Sequence, residues 1–207
     1  MLRNGELVDT FIVVTERYVV VVDTMINAKT AVTLLNHAQT HLTNRQLLVI
    51  NTHADYDHAW GNQVFNAPII SSSRCAEILR HPEAQEYLER MQAQEPDIFN
   101  DVRLTLPTIT FNNTLTINGG DLTLELLPTP GHTPDHISIY IPEINALLAA
   151  DAAEIPFPFA HTNDGLPHMR QSLTKLADLN AQTVLYCHAP VTIGASFFTT
   201  TSPTSTK

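Results

Sequence analysis

Apolar and polar positions along the chain alternate between two periods, and each change of period marks a new element. Val8 to Val14 and Tyr18 to Val22 are β-branched runs separated by Thr15-Glu16-Arg17, which predicts a hairpin ending at Asp23-Thr24. From Ile26 to Leu42, the residues Ala28, Ala31, Val32, Leu35, Ala38 and Leu42 recur at helical spacing and predict an amphipathic helix lying on a sheet. Gln46 to Ile50 has the composition of a buried strand, and Pro68-Ile69-Ile70 begins another. Ser73 to Arg80 and Glu83 to Met91 read as two helical pieces broken at Pro82.

The second half also opens with sheet. Asp101 to Asn113 is expected to hold short strands, and Leu115-Thr116-Ile117 pairs with Leu122-Thr123-Leu124 across the turn Asn118-Gly119-Gly120-Asp121. Ile137 to Ile141 and Ala146 to Ala150 are strands, Met169, Leu173, Leu176 and Leu179 mark a last helix, and Thr183 to Cys187 is a final strand. No internal repeat of solenoid length interrupts this order. The expectation is one domain over residues 1–198, followed by a Ser/Thr-rich disordered tail over 199–207.

Chemistry collects where the strands end. The strand at Gln46 to Ile50 runs into Asn51-Thr52-His53-Ala54-Asp55-Tyr56-Asp57-His58, in which His53, Asp55, Asp57 and His58 are potential metal ligands. His132 sits in the stiff loop Pro128-Thr129-Pro130-Gly131-His132-Thr133-Pro134, Asp151 follows Ala150, and His188 follows Cys187. Mixed imidazole and carboxylate donors suit a divalent metal better than a nucleophile triad. The competing reading makes Asp55 or Asp57 a helix cap and leaves the histidines on the surface. His37 and His41 also share a helix side at i, i+4, but with Asn36, Gln39 and Thr40 beside them they read as a solvated face.

Composition narrows the partners. Twenty-one acidic against 11 basic residues give a formal charge of −10, which disfavours nucleic acid. Two cysteines without close spacing indicate neither a disulfide framework nor a thiolate zinc site. No apolar run reaches the roughly 18 residues of a membrane span, and Met1 to Glu6 has no apolar leader core, so a cytoplasmic location is expected. The expected partner is a small molecule, with no nucleic acid and no membrane; the oligomeric state is left open.

Taken together, Asp23-Thr24, Thr52 to His58, Pro130 to Pro134, Asp151 and His188 resemble, in order and spacing, the metallo-β-lactamase superfamily. The resemblance covers nearly the whole chain and implies an α+β fold, an αββα sandwich of two mixed sheets flanked by helices. It implies two divalent ions, zinc foremost with manganese or iron as alternatives. One would take His53, Asp55 and His132, the other Asp57, His58 and His188, with Asp151 bridging them; Asp57 and Asp151 would serve catalysis. The implied reaction is attack by a metal-bound hydroxide on a small ester, lactone or phosphoester, with β-lactam or thioester hydrolysis as the alternative.

The chain departs from the family pattern at Asp55, where a histidine is usual, and the added negative charge favours harder ions. A diiron redox protein is a further reading, suggested by that carboxylate alone. Asp57-His58-Ala59-Trp60-Gly61-Asn62 resembles glyoxalase II-type thioesterases, but their basic glutathione-binding region is not expected here. Tyr56 and Trp60 are candidates to wall the substrate, with a core role for Trp60 equally open. Phe157, Phe159 and His161, in the proline-rich loop from Ile155 to His161, are candidates to line an apolar pocket. His136 reads as a partner of a ligand, His81 and His168 as surface residues, and Cys187 as packed inward.

Overall fold

The hairpin expected at the start of the chain forms as the sequence pattern dictates. Leu2–Arg3 (β1) pairs antiparallel with Asp9–Val14 (β2), which pairs antiparallel with Tyr18–Val22 (β3), Phe11 opposite Val22. The structure is a computed structural model that describes residues 2–3, 8–154, 157–188 and 192–193. The tail 199–207 and Ile155-Pro156 of the proline-rich loop lie outside the described residues. The chain divides into two compact units, Met1–Asn113 with Gly119–Asp121, and Thr114–Asn118 with Leu122–Lys207.

In the first unit, β3 pairs parallel with Gln46–Ile50 (β4), β4 with Ile69–Ser72 (β5), and β5 with Ile109–Phe111 (β6). This makes a six-stranded mixed sheet in the order β1 to β6. Parallel neighbours need a crossover, and Ala28–Gln39 (α1) supplies it between β3 and β4. The Asn27 side chain caps α1 by accepting from the Thr30 N–H. Ala31, Leu34 and Ala38 are the buried residues of α1, and they pack with Val19, Val21 and Val49. Each large side chain buried this way contributes roughly 1.5–3 kcal/mol. Val32, expected on the apolar face, is 46% exposed, because the stripe follows 31, 34 and 38 and passes it by.

Beyond β4 come one helical turn at Tyr56–Ala59 (α2), then Ser73–Arg80 (α3), Pro82–Gln94 (α4) and Pro96–Phe99 (α5). The break expected at Pro82 falls one residue earlier. His81 is extended, as a residue before proline prefers, and Pro82 opens α4, where its missing N–H costs nothing. The strands expected over Asp101 to Asn113 reduce to β6, since the preceding segment crosses the unit without sheet pairing.

The second unit carries Leu115–Asn118 (β7), Thr123–Pro128 (β8), Ile137–Ile141 (β9), Ala146–Ala150 (β10), Thr183–Tyr186 (β11) and Thr192–Ile193 (β12). They form a mixed sheet in the order β12-β11-β10-β9-β8-β7. The parallel pair β10 and β11 is joined by the crossover helix Gly165–Asp178 (α6), whose Leu176 packs with Leu147, Ala149, Val184 and Tyr186. Among the described residues no helix is long and apolar enough to cross a membrane.

Candidate metal centre

The parallel register of β3 and β4 sets the first half of the site. Val22 stands opposite Ile50, so the next residues, Asp23 and Asn51, leave the sheet side by side. Asp23 adopts a left-handed backbone (φ 65), a conformation a short polar residue tolerates best. Its buried carboxylate accepts the Thr52 backbone N–H on Oδ1 at 2.8 Å, and the Thr52 hydroxyl on Oδ2 at 2.8 Å. The same Oδ2 lies 2.9 Å from His58 Nδ1.

These bonds fix where the imidazole protons are. A carboxylate only accepts, so His58 donates from Nδ1 to Asp23. The Thr52 hydroxyl spends its proton on Asp23, so the 2.9 Å contact between Thr52 Oγ1 and His53 Nδ1 needs the proton on His53 Nδ1. In the neutral form both buried rings therefore present Nε2 as an electron pair. Their centroids lie 4.1 Å apart.

A reciprocal amide pair backs the loop. Asn51 Nδ2 donates to Asn62 Oδ1 at 2.9 Å, and Asn62 Nδ2 donates to Asn51 Oδ1 at 2.8 Å. Thr24 joins through its hydroxyl to Asn62 Oδ1, while its N–H donates to the His58 carbonyl at 2.7 Å. Gly61 is required here, since a Cβ would stand 2.0 Å from the Thr24 carbonyl oxygen.

Asp55 occupies the N-cap position of α2 but makes no capping hydrogen bond from its side chain, against the helix-cap reading. Its Oδ2 lies 3.4 Å from His53 Nε2, and Asp57 Oδ2 lies 3.5 Å from His58 Nε2. Burial pushes the Tyr87 phenol up, and the Asp55 and Asp57 carboxylates push it further, against the Arg90 guanidinium 5.1 Å from its ring centroid. Tyr87 also meets Trp60, with ring centroids 5.5 Å apart.

Trp60 corrects one expectation. It is 3% exposed and packs with Ile26, Leu88, Phe99 and Val102, so of its two sequence readings it takes the core one and offers a substrate no surface. Tyr56 is partly buried against the same cluster.

The second unit brings His132, Asp151 and His188 together. Asp151 Oδ2 lies 3.5 Å from His132 Nε2 and 3.3 Å from His188 Nε2. His132 Nδ1 is 2.8 Å from the Phe159 carbonyl oxygen, an obligate acceptor, so Nε2 again holds the electron pair. Gly131 gives the loop its turn at φ 153, and a Cβ there would meet the Met169 backbone at 2.4 Å.

His136 holds Asp151 by its backbone. The Asp151 N–H donates to His136 Nε2 at 3.2 Å, so the proton of His136 is on Nδ1, 2.9 Å from Thr129 Oγ1. Thr129 passes the polarity to Ser138 at 2.9 Å, and Ser138 donates to the Ala149 carbonyl at 3.2 Å. This one-way chain spans the strained residue Ala150 (φ 49).

Phe157 and Phe159 are 79% and 58% exposed, and His161 is also exposed. The rings of His161 and Phe159 lie 4.6 and 6.2 Å from His132, so the loop sets two aromatic rings against a candidate ligand. His37, His41, His81 and His168 are exposed, and Cys187 is buried, as the sequence pattern suggests.

Four carboxylate-to-Nε2 separations thus fall at 3.3–3.5 Å. That is longer than the roughly 2.7–2.9 Å of a charge-assisted hydrogen bond. It equals the edge of about 3.4 Å between two ligand atoms bound at ~2.1 Å around one tetrahedral ion. With three of the rings presenting an electron pair, the residues fit a divalent metal.

Sequence reasoning quoted Asp23-Thr24 and Asn62 without giving them a structural role, and passed over Tyr87. An aspartate directly after a strand that pairs in parallel with the ligand-bearing strand was the available signal for Asp23. Tyr87 carried none.

The profile of the Metallo-beta-lactamase superfamily matches residues 3–188. A protein named hydroxyacylglutathione hydrolase from Mesorhizobium japonicum is 37% identical over 92 residues, 42% of this chain and 34% of that one. A protein named N-acyl homoserine lactonase from a Bacillus species is 33% identical over 127 residues, 54% of this chain and 43% of that one. The matched stretches span about half of the curated relatives' length or less. A solved metallo-beta-lactamase from Pontibacter korlensis superposes with a TM-score of 0.72 at 19% identity, covering 93% of this chain and 84% of that one, which shows the fold. By this match and this fold, the chain belongs to the metallo-β-lactamase superfamily.

Proposed function

We propose that the chain is a metal-dependent hydrolase that cleaves a small carboxylic ester, thioester or lactone, with His53, Asp55, Asp57, His58, His132, Asp151 and His188 as ligands of two divalent ions. The observation that carries this reading is the set of 3.3–3.5 Å carboxylate-to-imidazole separations, three of the four rings being held by Nδ1 so that the neutral ring presents Nε2. A structural zinc site closes with four ligands around one ion, and seven donors exceed that and call for a second ion.

When bound, the ions supply Lewis acidity and a water acidified toward neutral pH. The chain's own groups do the positioning. Asp23 holds the rings of His53 and His58, and the His136 chain holds the Asp151 backbone. Phe159 and His161 offer aromatic surface beside His132, and the exposed Phe157 lies two residues before Phe159 in the same loop. Relatives named for an acylglutathione and an acyl lactone favour acyl transfer to water over phosphoester cleavage. The ions are zinc first, with manganese or iron favoured by the carboxylate at Asp55.

The test is turnover of a panel of aryl esters, acylglutathiones, lactones and phosphoesters after chelation and reloading with zinc, manganese or iron. Metal-restored cleavage of one acyl class supports the proposal. Iron-loaded protein that consumes oxygen and leaves every ester intact overturns it in favour of redox chemistry.

A further inference from the structure

Glu154 stands three residues past Asp151 and belongs to no ligand pattern recognised above. In the second unit its carboxylate, a His132 nitrogen and an Asp151 oxygen lie within 4.8 Å of one another. His132 and Asp151 are 5% and 2% exposed, while Glu154 is half-buried. His132 gives its Nδ1 proton to the Phe159 carbonyl, so in the neutral ring the electron pair is on Nε2, 3.5 Å from Asp151 Oδ2. A cation among them would offset the repulsion between the two grouped carboxylates and take the imidazole electron pair.

We propose that Glu154 is an additional carboxylate ligand, holding a divalent cation together with His132 and Asp151. The inference rests on the metal-centre reading above and deepens it. Its consequence is a count of charge. With Asp55, Asp57 and Asp151, Glu154 brings four carboxylates to two dications, and the sum of ions and ligands becomes neutral rather than singly positive. A neutral, oxygen-rich set favours hard ions such as manganese and iron(II) over zinc, and in this chain Asp55 and Glu154 act in the same direction.

The test is metal titration of the full chain against a competing fluorescent chelator, using Mn(II) and Zn(II), with Glu154→Gln and Glu154→Asp beside the wild type. Loss of an outer hydrogen-bond partner costs about 10–100-fold in metal affinity, and loss of a ligand should cost no less. Glu154→Gln is therefore expected to weaken one of two Mn(II) sites by about tenfold or more, and Zn(II) by less. Glu154→Asp should recover part of the loss, and the Co(II)-loaded absorption spectrum should change in Glu154→Gln. Wild-type uptake that Glu154→Gln leaves unaltered, with an unchanged cobalt spectrum, overturns the role of Glu154 alone. A wild type that takes up no metal overturns this inference and the metal-centre reading together.

Discussion

The Nδ1–H of His58 donates to Oδ2 of Asp23 across 2.9 Å, and the same oxygen takes the Thr52 hydroxyl that orients His53. One carboxylate therefore sets the tautomer of two candidate ligands. Replacing it with Asp23→Asn keeps the shape but puts an amide that can donate where only an acceptor fits. The variant should fold and lose about 10–100-fold in metal affinity, read by chelator competition. Unchanged affinity would remove Asp23 from the site's support.

Why Asp23 was not legible as a support is a matter of register. The sequence pattern defines β3 and β4 as strands, but that they pair in parallel with Val22 opposite Ile50 is a tertiary fact. The ligand loop was legible because four donor residues follow one strand within six positions. Helical periodicity located α1, yet the apolar positions taken from it included Val32, which is exposed, and left out Leu34, which is fully buried with Ala31 and Ala38. Trp60 was ambiguous for a similar reason. A large aromatic next to a site serves a core or a wall, and only the packing of Leu88, Phe99 and Val102 around it decides.

On the proposed reading Asp55 tunes the ion, as a carboxylate 3.4 Å from His53 Nε2 that adds negative charge to the site. Asp55→His should shift the metal preference toward zinc when the protein is loaded from an equimolar mixture of zinc, manganese and iron(II). An unchanged metal profile would show that Asp55 does not reach the ion.

Trp60 is packed into the core, and on this reading its role is a stabilising one. Trp60→Ala should cost about 3–5 kcal/mol in denaturant unfolding, from lost burial and the cavity left behind. Trp60→Phe, which keeps an aromatic ring among the same neighbours, should leave KM unchanged for any substrate found. A KM raised tenfold in Trp60→Phe would return the indole to the substrate wall.

Tyr87 reports the charge of the ligand loop. Its phenol is held above the ordinary tyrosine range by burial first and by Asp55 and Asp57 after it. A raised folded value means the native state keeps this proton longer than the unfolded chain does. The resulting stability is present below the ordinary tyrosine pKa and is lost as pH rises through the raised one. Tyr87→Phe should blunt that alkaline loss in thermal melts. Metal bound by Asp55 and Asp57 would cancel part of their charge, so loading should lower the Tyr87 midpoint relative to chelated protein. The readout is the tyrosinate absorbance of wild type minus Tyr87→Phe.

The central claim is that this chain holds a pair of metal ions. Elemental analysis of the purified full-length protein, set beside Asp151→Ala prepared in parallel, tests it most directly. The account predicts about two divalent ions per wild-type chain. Asp151→Ala should hold clearly less, because Asp151 faces both His132 and His188. A wild-type protein that remains metal-free after incubation with zinc, manganese and iron(II), or an Asp151→Ala variant with full metal content, would contradict it.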